Sequence, residues 1–121
     1  MAVITPTGHS PLSAQWGQPT AGQVVTPATP NIGGDTVPLQ GTYVLLRFQT
    51  TGTATVITLD SVELSNFGTD VNVTITMTAT QIQNVAIKTD SRFKQTTGNV
   101  GNLNLSYTSV TGLTLEASYV A

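Results

Sequence analysis

Few residues in this chain can do covalent chemistry, and their settings decide how far each can be taken. The sole histidine is His9, between Gly8 and Ser10. A Ser-His-Asp arrangement needs an imidazole held rigidly by a buried carboxylate, and a proline-rich stretch is a poor mount for it. No G-x-S-x-G motif is present, and no cysteine stands in as nucleophile. Asp60, Glu63, Asp70, Asp90 and Glu116 could pair as acid and base or ligate calcium from loops. Their spacing matches no EF-hand or other repeated calcium signature, and solvated loop charges account for them as well. Lys88, Arg92 and Lys94 form the one basic cluster, a candidate polar contact for a phosphate or an acidic patch. A solvated loop that discourages edge-to-edge strand pairing is the preferred reading of the three. Gly33-Gly34 and Gly98–Gly101 precede no helix signal and read as turns, not phosphate cradles. The expectation is no enzyme, no metal and no cofactor.

Composition narrows the class further. With 121 residues, the chain is long enough for one domain and too short for two ordinary ones. Charged residues make up 8% of it, against about 25% in ordinary soluble proteins. Thr, Asn, Gln and Ser must therefore supply solubility. A net charge of −2 gives no general attraction for nucleic acid or a membrane surface, so neither is expected as a partner. The absence of cysteine excludes disulfides and thiolate metal sites. Met1–Ile4 is too short for a signal h-region, and no run approaches the roughly 20 apolar residues of a membrane span. The chain reads as soluble and not exported by a cleaved leader.

The elements that would position any site are strands. All six prolines lie in the first 38 residues, which places a boundary near Gln40. Residues 1–40 read as an extended Pro/Gly/Thr-rich arm with at most a short strand at Gln23–Thr26, and residues 41–121 as an antiparallel β domain. The arm carries Val3, Ile4, Leu12, Trp16, Val24, Val25 and Ile32, more apolar material than a linker needs. It is expected to lie on a surface, whether its own body, a neighbouring copy or another protein. Ile4, Trp16, Val24 and Val25 are its candidate contacts, with Trp16 weighed evenly between folding back and anchoring in a neighbour.

Beyond a turn at Gly33-Gly34-Asp35, Gly41–Gln49 reads as a central strand with Val44, Leu46 and Phe48 on one face and Tyr43 and Leu45 on the other. Thr53–Leu59 follows, then a connection with a turn at Asn66-Phe67-Gly68. Val71–Thr80 alternates with Val73, Ile75 and Met77 inward, and Ile82–Lys88 returns after a tight bend. Leu103, Leu105 and Tyr107, then Leu113, Leu115, Ala117 and Tyr119, alternate about a loop at Thr108–Gly112. This pattern predicts an antiparallel hairpin with one buried face. Six or seven strands result, in a small antiparallel β-sandwich or partly closed barrel. So small a core is stabilised by oligomerisation or a partner.

The order Gly34-Asp35-Thr36-Val37-Pro38, the apolar strand Tyr43–Phe48, the Thr/Val strand Val71–Thr78, Arg92-Phe93 and the closing Leu103–Leu115 resembles a known class. It is similar to the small head decoration or cement (minor capsid) proteins of tailed bacteriophages, particularly those of actinobacterial hosts. The resemblance spans Gly34–Val120, and departs in the long lead-in and the polar Gln81–Asn84. It implies a virion protein made in the host cytoplasm that binds the major capsid protein on the outside of the expanded capsid. It would do so in many symmetric copies, as dimers or trimers at local symmetry axes. A strand from the arm could add to an exposed capsid edge, and repetition would multiply modest contacts.

Two other readings stand beside it. A tail-tube, tail-tip or head-fibre component would form a ring or a fibre. A carbohydrate-binding sandwich would need a platform of exposed aromatics, and several of Trp16, Tyr43, Phe48, Phe67, Phe93, Tyr107 and Tyr119 are committed to strands.

Overall fold

The computed structural model describes residues 2–9, 25–62, 72–96 and 98–120. These residues form a β-sandwich of nine strands and no helix, so no helix among them is long and apolar enough to cross a membrane. The strands are β1 (Ala2–Val3), β2 (Thr7–His9), β3 (Asp35–Pro38), β4 (Tyr43–Thr51), β5 (Thr55–Leu59), β6 (Val73–Met77), β7 (Thr80–Lys88), β8 (Asn102–Tyr107) and β9 (Leu113–Val120). One sheet runs β1-β3-β8-β5-β6 and the other β2-β9-β4-β7. Neither closes on itself, so the sandwich holds and the barrel does not.

β4 is central as its two-sided apolarity predicts, lying between β7 and β9. Val44, Leu46 and Phe48 point inward and are sealed from solvent. Leu113, Leu115 and Ala117 of β9 and Ile87 of β7 join them from the same sheet. Val37, Ile57, Leu59, Met77, Leu103 and Leu105 meet them from the other. Alternation along each strand is what lets every second residue enter this layer.

The expected closing hairpin is not a hairpin. β8 lies between β3 and β5 in one sheet, and β9 lies between β2 and β4 in the other. The two strands enter the core from different sheets, and the loop between them is an arch from sheet to sheet. Its start is held to β5, where Thr108 N–H donates to Val56 O at 3.1 Å and Thr55 Oγ1 to Ser109 O at 2.7 Å. Its end is held to β4, with Thr51 N–H donating to Gly112 O at 3.0 Å. Gly112 has φ +67°, and a Cβ there would meet Thr51 O at 2.7 Å, so only glycine fits. Alternation correctly marked the buried face, but it carries no information about which strand is the neighbour.

Strands also occur before the boundary expected near Gln40. β1, β2 and β3 precede it, and add to the six strands, β4 to β9, that follow it among the described residues. Ala2–Val3 pairs with Asp35–Thr36 and Thr7–His9 with Ser118–Val120, both in parallel, so the sheets are mixed and not purely antiparallel. Between them Ile4 and Pro6 are buried, and Pro6 has no N–H to satisfy as the chain changes sheets. Of the strand expected at Gln23–Thr26, Val25 and Thr26 are not in a strand, and Gln23 and Val24 lie outside the described residues. The pairing occurs at Ala28 instead, which exchanges two backbone hydrogen bonds with Leu115 at 2.7 and 3.0 Å.

Candidate functional site

The outer face of the four-stranded sheet is built from residues that alternate with the core. The strand register sets Leu45, Ala86 and Ser118 in one row and Arg47, Asn84 and Glu116 in the next. Tyr43 and Lys88 form the row on one side of these, and Gln49, Ile82 and Thr114 the row on the other. Tyr43, Leu45 and Ile82 are large apolar side chains left 45%, 40% and 48% exposed. Arg47 and Glu116 pair at 3.3 Å, which neutralises the two charges of the middle of the face. The pair is partly exposed and worth at most about 1 kcal/mol.

A groove of about 360 Å³ runs over these rows, lined by Leu45, Arg47, Asn84, Ala86, Glu116 and Val25 among others. Val25 is thus set against its own body's outer sheet. Ile4, expected to be offered to a neighbour, is instead 8% exposed and packed in the core. Its N–H donates to Thr36 O at 2.9 Å, so the parallel pairing with β3 draws its side chain inward. Trp16 and Val24 lie outside the described residues, as does the turn expected at Asn66-Phe67-Gly68.

The basic residues are on the end of β7 and the loop after it. Lys88 and Lys94 are exposed. Arg92 is half-buried with its guanidinium 5.1 Å from the centre of the Phe93 ring, a cation–π contact that holds it to its own loop. Arg92 O accepts from Val62 N–H at 2.8 Å, fixing that loop to the chain after β5. Among the carboxylates, Asp90 is exposed and Glu116 is paired with Arg47. Asp60 borders a shallow polar recess of about 170 Å³ with Asn72 and Asn104, and Glu63 and Asp70 lie outside the described residues. Among the described residues no three His, Cys, Asp or Glu side chains are grouped to hold a metal.

One polar centre was missed by reading Asp35 as a turn residue. Asp35 is fully buried on β3, and its Oδ2 accepts from Tyr107 Oη at 2.7 Å and from Asn31 N–H at 3.1 Å. Burial, and then the Asp35 carboxylate at its hydroxyl, push the Tyr107 phenol far above its ordinary value. Asp35 Oδ1 and Thr36 Oγ1 are buried with no partner among the described residues, which makes this the costliest polar patch of the core. A signal for it was present: Tyr107 ends an inward-facing row, and a buried tyrosine hydroxyl needs an acceptor. Asp35 is sealed from solvent, and the pair holds β3 to β8.

Compared with known protein families, with curated proteins and with solved structures, the chain matches none of them.

Proposed function

We propose that this chain is a virion structural protein that decorates and stabilises the outer surface of a tailed-phage capsid. It binds the major capsid protein in many symmetric copies and bridges adjacent subunits, raising the barrier to their separation. The observation that carries the reading is the outer face of the β2-β9-β4-β7 sheet. Tyr43, Leu45 and Ile82 are exposed there, and the Arg47–Glu116 pair neutralises the charges between them. A face of this kind binds by burial of apolar area, with little dependence on salt. The sequence resemblance to head decoration proteins supplies the partner, and avidity over a lattice supplies affinity that a small contact cannot give alone.

Titration of the purified protein onto expanded capsids that lack it tests the reading. Saturation at a fixed multiple of the capsid subunits is expected, and Leu45→Asp, which puts a charge in the groove, should weaken binding at least tenfold. The absence of binding at any concentration would move the protein to the tail, where rings or fibres would be its product.

A further inference from the structure

The outer edge of β7 has no neighbour among the described residues. β7 ends its sheet and is paired to β4 on one side only. Successive residues of an antiparallel strand turn their backbone groups to opposite sides. Gln81 N–H donates to Thr50 Oγ1 on β4 at 3.0 Å. The odd-numbered residues of β7 therefore face β4, and Thr80, Ile82, Asn84, Ala86 and Lys88 turn N–H and C=O outward. Long edge strands are normally blunted by charges, proline or a bulge. β7 has nine residues, no proline, and a single charge at its very end.

We infer that β7 pairs antiparallel with β7 of a second copy of this chain, about a two-fold axis at Asn84. Outward-turned residues must meet outward-turned residues, and the register centred on Asn84 uses all of them. It sets Ile82 against Ala86 of the second copy, Asn84 against Asn84, and Thr80 against Lys88. Apolar meets apolar twice over, two amides meet at the axis, and each lysine falls opposite a neutral hydroxyl. Like charges are never opposed: at about 3.4 Å per residue the two Lys88 side chains stand roughly 27 Å apart. Registers centred on Ile82 or Ala86 leave outward groups of the strand unpaired, and one centred on Lys88 opposes the lysines. This match in charge and polarity favours a second copy over an unrelated strand, and a two-fold contact closes on itself. Two four-stranded sheets then become one of eight strands, whose outer face joins the Ile82 rows of both copies. Pairing along an edge alone buries less than the roughly 1,200 Å² of stable interfaces, so the dimer is weak and concentration-dependent. The inference stands on β7 alone and is independent of the capsid reading.

Sedimentation of the full chain over a range of concentrations tests it, with no capsid present. The mass is expected to rise from monomer toward dimer. Asn84→Pro should abolish that rise with an unchanged far-UV spectrum, because the N–H it removes points away from β4. A second route needs no proline. The chain contains no cysteine, and facing Cα atoms in a hydrogen-bonded pair lie about 5.5 Å apart, within disulfide range. Oxidised Asn84→Cys should therefore cross-link to a covalent dimer, and Ile82→Cys, about four residues out of register with its counterpart, should not. A chain monomeric at every concentration would overturn the inference. So would a dimer undisturbed by Asn84→Pro, or cross-linking of Ile82→Cys ahead of Asn84→Cys.

Discussion

The two long sides of the sandwich are closed by different means. On one side, residues 2–9 run from sheet to sheet and cover the edges of β3 and β9 with parallel strands. Ile4 and Pro6 plug the gap between them, and Gly8 lies so near Tyr119 that a Cβ would stand 2.5 Å from its hydroxyl. On the other side, where β6 passes into β7, the first two inward positions of β7 are the amides of Gln81 and Gln83, and Val85 and Ile87 follow them into the core. Gln83 Nε2 donates to Thr76 O at 3.1 Å and to Gln81 Oε1 at 3.2 Å, and Gln81 Oε1 accepts from Thr78 N–H at 3.0 Å. The first side is a dry apolar seal whose edge strands are only two and three residues long. The second is a wet seam with an edge to spare. The start of β7 covers the core with glutamine amides, whereas the chain between β1 and β2 covers it with Ile4 and Pro6.

The largest effect should therefore fall on the dry side. Ile4→Ala is expected to cost about 3 kcal/mol, the usual price of emptying a buried aliphatic site. Ile82→Ala on the opposite edge should change stability by less than about 0.5 kcal/mol. Urea unfolding of the two variants measures the contrast, and equal midpoints would erase it.

The Asp35–Tyr107 pair, on the same side as the dry seal, comes next. Asp35→Ala leaves the Tyr107 hydroxyl buried without an acceptor, for a loss of about 2 kcal/mol. The raised Tyr107 phenol also gives the fold an alkaline limit. The phenol of the unfolded chain ionises near pH 10, whereas in the folded state it stays protonated to higher pH. Above pH 10 the unfolded state therefore binds fewer protons than the folded one, and unfolding becomes easier as pH rises. Stability should be level with respect to this group below pH 10 and fall by up to about 1.4 kcal/mol per pH unit above it. Tyr107→Phe should flatten that decline, and an unchanged alkaline slope would show that the phenol ionises freely in the folded protein.

What the sequence made legible is the set of faces, and what it hid is the set of neighbours. Val44, Leu46 and Phe48 against Tyr43 and Leu45 gave the inner and outer sides of β4, and both are as the alternation requires. Leu103–Tyr107 and Leu113–Tyr119 also gave their buried faces, yet the two strands belong to different sheets. Among these strands only β5 and β6 are both consecutive and paired. Every other ladder joins segments distant along the chain, where local pattern has no reach. The N-terminal strands were hidden for another reason. Six prolines argue against ladders in general, but proline is tolerated at sheet edges, and Pro38 ends one strand while Pro6 separates two. At the outer face, Tyr43 and Leu45 were legible as apolar, but the groove was not, because its walls come from β4, β7, β9 and Val25 together.

The smallest effect is expected at the wet seam, and it is the one that most sharpens the contrast between the sides. Gln83→Ala removes the amide that reaches Thr76 O. That hydrogen bond is exposed, so water can take the place of the donor, and only the net worth of one replaceable hydrogen bond is lost. Stability should fall by less than about 1 kcal/mol. The backbone ladder of β7 with β4 does not depend on the side chain, so hydrogen exchange along Val44–Thr50 should be unchanged by the substitution. A loss above about 2 kcal/mol, or faster exchange in β4, would mean that the amide seam shields the core as the isoleucine does. β7 would then be a sealed boundary, unable to take a further strand without cost to its own sheet.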